Sequence, residues 1–211
     1  MVITLDIETI AAGEPIDPAT MPHPAKMSLE KTIAEWRRDK APQEAEEQYR
    51  KRALDSMQGE IICICWAIDD GEVNFHKGLN EKTLLIEFIQ MVSVDIPQHE
   101  LITWVGHFGL TFDLLWLWRK AVKYNLGWLI RNIRLSRYSG NVEDTNIMWN
   151  GIDRGYTSLD SIAKFLDVGE PIGSGAQVYD WYLEGEYDKI IEHCKQDVNL
   201  CRAIYKRMKG E

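Results

Sequence analysis

The sequence predicts an α/β fold in which a mixed β-sheet carries helices on both faces. Two observations predict this class. The first β-rich segments follow one another as in a hairpin, and the later β-rich segments alternate with segments of helical periodicity. At 211 residues the chain is long enough to bury a core. We therefore expect a single domain over residues 1–211, with a helical insertion over residues 11–58.

β-strands are predicted by apolar and β-branched runs that lie between turn signals. The sequence MVITLDIETI opens the chain, and EIICICWAI is followed by a turn at Asp69, Asp70 and Gly71, which is typical of a hairpin. The predicted strands cover residues 1–10, 60–68, 72–76, 101–105 and 145–149.

Helices are predicted by apolar residues three and four positions apart and by capping residues. Ser158 is a suitable N-cap for a helix that runs to residue 166. The other predicted helices cover residues 81–92, 113–124 and 187–208.

The insertion differs in composition from the rest of the chain. Four prolines at residues 15–24 indicate a loop, and residues 26–55 then carry eight Lys or Arg and seven Asp or Glu. This nearly balanced charge favours one or two surface helices, broken near Pro42. A lid that grips substrate and a solvated decoration of the fold explain the insertion equally well.

Composition and charge limit the function classes. A net charge of -9 does not indicate a general nucleic-acid coat protein, but it agrees with a nuclease, whose acids cluster at metal ions. The four cysteines lack zinc-type spacing and indicate reduced core thiols. Without a signal-like segment or an apolar run of membrane-spanning length, we expect a cytoplasmic protein with no membrane partner.

Two carboxylates, Asp6 and Glu8, stand two residues apart in the first predicted strand. Residues i and i+2 of a strand point to the same face, so both side chains emerge together. Like charges this close repel, and a hard divalent cation such as Mg²⁺ or Mn²⁺ would relieve the repulsion. A strand end that reaches solvent also explains the pair.

Later segments add two acids and a histidine. Asp113 opens a predicted helix, where an acid is common because of the helix dipole alone. His193 and Asp197 are four residues apart and share one face of the last helix, as a structural pair also would. Together these residues make four carboxylates and one imidazole, which a two-metal phosphodiesterase requires.

In three blocks the chain resembles the DEDD superfamily of 3′-to-5′ exonucleases, and within it the group related to the proofreading domain of family B DNA polymerases. The blocks are LDIET, GHFGLTFD and SGAQVYDWYLEGEYDKIIEHCKQDV, and they end on or contain the four acids. The segment TSLDSIAKFLDV resembles the helix that precedes the third block. The blocks follow the order of the family.

The resemblance implies a ribonuclease H-like fold with a five-stranded sheet, and a 3′-to-5′ exonuclease that hydrolyses phosphodiester bonds with two Mg²⁺ or Mn²⁺ ions. Single-stranded DNA is the implied substrate and partner, and single-stranded RNA is an alternative substrate. Replication or repair proteins are further implied partners. The implied metal ligands are Asp6, Glu8, Asp113 and Asp197, and His193 joins them as a catalytic residue and candidate general base.

Two residues depart from the family pattern. Phe108 stands where the family usually has Asn, five residues before the acid, so a polar contact is lost or is supplied by His107. His193 stands where the group usually has Tyr, whereas the histidine-bearing branch places its His five residues before the last Asp. These departures keep open the alternative of a catalytically weak nucleic-acid-binding or polymerase-associated module. An RNA-directed exoribonuclease, whose pocket would tolerate a 2′-hydroxyl, is a second alternative.

Residues 114–142 contain six Lys or Arg and no acid, with five Trp or Tyr between them. Cations that follow phosphates, together with aromatic faces that stack on bases, suit single-stranded nucleic acid, although an ordinary surface explains the stretch equally well. The candidate substrate-binding residues are Thr9, His107, Phe108, Phe112, Arg131 and Arg134.

Overall fold

The computed structural model describes residues 1–97, 100–136, 140–151 and 155–211. Within them the strands are β1 (Val2–Ala11), β2 (Gly59–Ile68), β3 (Asn74–Lys77), β4 (Thr103–Gly106) and β5 (Val142–Asp144). The α-helices in the same residues are α1 (Glu30–Asp39), α2 (Ala41–Lys51), α3 (Glu81–Val94), α4 (Asp113–Tyr124), α5 (Gly127–Asn132), α6 (Thr145–Asn150), α7 (Leu159–Leu166), α8 (Val178–Glu184) and α9 (Tyr187–Lys209). None of these described helices has the length and apolar character needed to cross a bilayer.

The five strands form one mixed sheet in the order β3-β2-β1-β4-β5. β2 and β3 form an antiparallel hairpin, with Cys65 opposite Phe75, whereas β1 pairs with β4 and β4 pairs with β5 in parallel. The predicted fold class, a mixed five-stranded sheet with flanking helices, is confirmed.

The strand expected over residues 145–149 is wrong. β5 ends at Asp144, and residues 145–150 form α6 instead. The side chain of Asp144 accepts hydrogen bonds from the backbone N–H groups of Asn146 (3.0 Å) and Ile147 (3.3 Å). This N-cap ends the strand and begins the helix, overriding the β-propensity of the segment.

The chain divides into two compact units, Met1–Glu8 with Ile61–Glu211, and Thr9–Glu60. In the second unit α1 and α2 meet at Lys40, and Pro42 lies in the first turn of α2, where its missing N–H costs nothing. This unit buries a small core of its own around Trp36, whose indole N–H donates to Glu44 (3.1 Å). The charged stretch is therefore folded around apolar residues.

Apolar clusters lie on both faces of the sheet in the first unit. Trp104 belongs to the larger cluster and Val105 to the smaller one. Since successive residues of β4 point to opposite faces, the two clusters lie on opposite sides of the sheet. In the larger cluster Trp66 packs edge-on against Phe88, with ring centroids 5.0 Å apart.

An ion pair is buried beside the larger core. The Nζ of Lys120 on α4 lies 3.0 Å from Oε1 of Glu81 on α3, and both side chains are only 2% exposed. The same carboxylate accepts hydrogen bonds from the Ile61 N–H (2.9 Å) and the Tyr124 O–H (2.7 Å). These contacts join α3, α4 and β2 at one buried point.

Candidate active site

Four carboxylates from three elements converge in the first unit. Asp6 and Glu8 lie on β1, Asp113 is the first residue of α4, and Asp197 lies in the middle of α9. Asp6 is close enough to the other three carboxylates for each of them to repel its charge. The structure therefore brings together all four predicted metal ligands, although they are distant in sequence.

The backbone holds Asp113 against β1. The N–H of Ile7, the residue between the two strand acids, donates to Oδ1 of Asp113 (3.4 Å). A close approach of Gly106 and Gly109 shapes the turn before α4: a Cβ on Gly106 would lie 3.2 Å from Cα of Gly109 and 3.7 Å from Oδ2 of Asp113. Glycine at position 106 thus leaves room for the carboxylate.

Asp144 is a buried residue of the site that the sequence analysis missed. Besides capping α6, its carboxylate accepts hydrogen bonds from the N–H groups of Phe108 (3.2 Å) and Leu110 (3.1 Å). These bonds hold Phe108 in the left-handed region, at φ +62°, which is strained for a bulky residue. The Asp-Thr-Asn sequence is an N-cap signal that could have identified Asp144.

Burial and repulsion make the carboxylates hard to ionise. Burial raises the pKa of Asp113 to about 7 and that of Asp197 to about 6. Burial, followed by repulsion from the other acids, raises the pKa values of Asp6 and Glu8 well above their usual range. These shifts show that the cluster is unfavourable when all four groups are charged.

The donor set fits a hard divalent cation. All four predicted ligands offer carboxylate oxygens, which Mg²⁺ and Mn²⁺ prefer. Oδ1 of Asp197 is buried and makes no hydrogen bond within the described part of the chain. A buried oxygen without a donor costs free energy that a bound cation would recover.

His193 lies beside this cluster with a defined tautomer. Its Nδ1 is 2.7 Å from the carbonyl oxygen of Ile172, and a carbonyl can only accept, so Nδ1 carries the proton. Nε2 lies 3.6 Å from Oε1 of Glu8, and Nδ1 is 3.8 Å from Oδ1 of Asp197. In the neutral ring Nε2 is therefore the free acceptor, and it faces the carboxylates.

Three of the predicted substrate-binding residues make contacts within the protein. Thr9 donates its hydroxyl to the carbonyl of Ala53 (2.6 Å), and Phe112 packs against the core. Both ring nitrogens of His107 are engaged, with Thr145 Oγ1 and the Thr157 carbonyl (2.9 Å each), and burial lowers the pKa of His107. His107 is thus a neutral link between segments and presents no free ring nitrogen.

Phe108 instead contributes to an aromatic surface. Its ring stacks on that of Tyr156, with centroids 5.0 Å apart and planes within 17°. Tyr156 is 78% exposed, and both rings line a cavity of about 460 Å³ whose wall includes Asn146. The exposed ring of Tyr156 is therefore open for stacking, and Phe108 joins it to the turn that leads into Asp113.

The basic stretch at residues 114–142 is not a continuous patch. Lys120 is buried in its ion pair with Glu81, and Trp116 lies in the core. Arg137 and Tyr138 lie outside the described residues. Arg131 and Arg134 are exposed at the surface.

The metal-free protein should lose stability as the pH rises. Asp113 and Asp197 have folded-state pKa values of about 7 and about 6, above the ordinary aspartate value of 3.8. Below about pH 4 both are protonated in either state; above that, the unfolded chain ionises first, so folding becomes less favourable up to about pH 7. Urea unfolding in a chelator should show a loss of several kcal/mol over this window.

Addition of Mg²⁺ at pH 7 should restore most of that loss, since bound cations favour the ionised carboxylates. A free energy of unfolding that is constant or rises between pH 4 and 7 in the chelator would contradict the raised pKa values.

Comparison with known proteins supports the fold. No family model and no curated protein matches the sequence. Among solved structures, the chain is similar to the family B DNA polymerase from the hyperthermophilic archaeon Pyrobaculum calidifontis, with a TM-score of 0.63 and 15% identity over 99% of this chain. The match spans 24% of the polymerase chain. This likeness, with the mixed five-stranded sheet, agrees with the expected ribonuclease H-like fold.

Proposed function

We propose that the chain is a metal-dependent 3′-to-5′ exonuclease of the DEDD type, which removes nucleotides from the 3′ end of single-stranded nucleic acid, with DNA as the expected substrate. One observation carries this proposal: four carboxylates with raised pKa values meet at one point beside an imidazole. A module that only binds nucleic acid gains nothing from such an arrangement, because the acids repel one another and the phosphates.

The residues that would hold two Mg²⁺ or Mn²⁺ ions are Asp6, Glu8, Asp113 and Asp197. When bound, these ions would activate the attacking water and stabilise the leaving 3′ oxygen. The Ile172 carbonyl orients the His193 ring by accepting from Nδ1, so Nε2 points toward Glu8 as a proton acceptor. His193 would then take the proton of the attacking water at Nε2.

Replacement of His193 by alanine should lower turnover by about 10²-fold, the contribution typical of a general base. The Mg²⁺ concentration that half-saturates the protein should change little, because the carboxylates remain. Initial rates at saturating substrate give the turnover, and the rise in thermal stability with Mg²⁺ concentration gives the half-saturating concentration. Unchanged turnover would make His193 a structural residue.

Two surfaces would bind the substrate chain. The exposed ring of Tyr156, which stacks on Phe108, would hold a base of the substrate, since bases stack on aromatic faces irrespective of sequence. The exposed guanidinium groups of Arg131 and Arg134 would contact phosphates.

Replacement of Tyr156 by alanine should raise the KM for a single-stranded oligonucleotide about tenfold, because loss of one stacking ring costs about 1–3 kcal/mol. Turnover at saturation should be nearly unchanged. Phe165→Ala is the matched control, since Phe165 is also an exposed aromatic (75%) and packs against Trp149. Equal KM values for the two variants would exclude the stack from binding.

The proposed activity is tested with 5′-labelled single-stranded DNA and RNA of the same sequence, each with Mg²⁺, Mn²⁺ or chelator. We expect a ladder that shortens from the 3′ end, requires the metal ion and is stronger with DNA. Degradation of RNA in preference to DNA would favour the exoribonuclease alternative. Binding without cleavage would favour the nucleic-acid-binding module and overturn the proposal.

A further inference from the structure

Three buried cysteines form a cluster next to the carboxylates. Cys63 and Cys65 lie on β2 and Cys194 lies on α9, and their Sγ atoms are all within 4.8 Å of one another. Cys63 and Cys65 share a face because they are two residues apart on a strand.

The cluster is fixed by its surroundings. The Cys65 Sγ lies 4.0 Å from the carbonyl of Ile191, one turn before Cys194 on α9. The Cys194 thiol donates to the carbonyl of Asp6 on β1 (3.5 Å). Two strands and a helix thus hold the three sulfurs in place before any ligand arrives.

Ordinary core packing accounts for a single buried cysteine but not for this convergence. Cys201 is such a residue: it lies elsewhere on α9 and its Sγ is 3.9 Å from the hydroxyl of Thr145. The three clustered thiols are free rather than disulfide-bonded. Thiolates gathered in this way are the ligands that soft cations prefer.

We propose that Cys63, Cys65 and Cys194 bind one soft monovalent cation of the Cu⁺ class through their three sulfur atoms. Among the described residues no fourth histidine, cysteine or carboxylate lies within the same distance of all three sulfurs, and structural Zn²⁺ requires four ligands. Cu⁺ would displace thiol protons to solvent as it binds, because the thiolate is the form of cysteine that ligates metal ions.

The thiol cluster and the carboxylates adjoin at Cys194, whose Sγ is also within 4.8 Å of carboxylate oxygens of Asp6 and Glu8. Hard Mg²⁺ selects the oxygens and soft Cu⁺ selects the sulfurs. A test of the thiol site therefore uses saturating Mg²⁺, so that copper cannot occupy the carboxylates.

The test is a competition experiment on the full chain without oxygen, with ascorbate as reductant and Cu⁺ supplied as its bicinchoninate complex. One Cu⁺ per chain should transfer to the wild-type protein. Cys63→Ser and Cys65→Ser should each weaken retention at least tenfold, and Cys201→Ala, the matched buried control, should not. No transfer, or equal effects of the Cys201 and Cys63 variants, would overturn the proposal.

X-ray absorption of the copper-loaded wild-type protein tests the site without any substitution. We expect three sulfur neighbours and no oxygen or nitrogen neighbours around copper. Oxygen ligands, or a preference of the protein for Zn²⁺ over Cu⁺ in the same competition, would contradict a three-sulfur site. Both measurements are independent of nuclease activity, so failure here leaves the proposed function untouched.

Discussion

Replacement of Asp197 by asparagine is expected to lower the rate of nucleotide release about 10³-fold while stabilising the metal-free protein. The rate should fall because each metal ion contributes several kcal/mol to the transition state, and 1.36 kcal/mol corresponds to tenfold. The stability should rise because the substitution removes a charge that repels Glu8. Among neighbouring charges, that of Asp197 raises the pKa of Glu8 the most. With the pKa of Asp197 at about 6, its ionisation at neutral pH costs about 3 kcal/mol.

The opposite signs of the two effects separate a metal ligand from a structural residue. Asp188→Asn makes the same chemical change at an exposed position in the first turn of α9 and should leave rate and stability nearly unchanged. Single-turnover rates and urea unfolding in a chelator provide the two values. Loss of rate and stability together would assign Asp197 a structural role, and an unchanged rate would remove it from the proposed site.

Replacement of Lys120 by methionine should reduce the free energy of unfolding by about 3–5 kcal/mol, the usual effect of leaving a buried charge without its partner. Glu81 would keep its bonds from the Ile61 N–H and the Tyr124 O–H and its solvent-screened pair with Lys123, but it would lose the buried cation 3.0 Å away. Urea unfolding at neutral pH measures the change.

Lys123→Met is the matched control for this prediction. Lys123 lies one turn further along α4, is 53% exposed and is 3.6 Å from the same carboxylate of Glu81. Solvent screens such a pair, so the expected loss is below about 1 kcal/mol. The double variant Glu81→Gln with Lys120→Met should recover part of the free energy of unfolding that Lys120→Met loses. Equal losses for Lys120→Met and Lys123→Met would show that burial does not determine the contribution of the ion pair.

The sequence contained enough information for most of the fold and for the four acids that the fold brings together. Alternation along β1 places Asp6 and Glu8 on one face, and helical spacing predicts α4 and α9 nearly to their ends. The prediction from sequence failed at residues 145–149, where β-branched and aromatic residues favour a strand locally. There the cap supplied by Asp144 decides the structure, and its second role, holding the Phe108 turn, depends on a contact 36 residues away.

Lys120 shows a second limit of prediction from sequence, which concerns the partner of a buried residue. It stands four residues after Trp116, on the apolar face of α4, and this position alone indicates burial. Its partner Glu81 comes from another helix 39 positions earlier, which no local pattern reveals. The tautomer of His193 likewise depends on the carbonyl of Ile172, which carries no side-chain signal.

The hydrogen bond from Ile7 to Asp113 has an evolutionary consequence. Its donor is a peptide amide, which every amino acid except proline provides, so natural variation at position 7 leaves this link between strand and helix in place. The spacing of the acids can thereby outlast extensive divergence of the side chains around them.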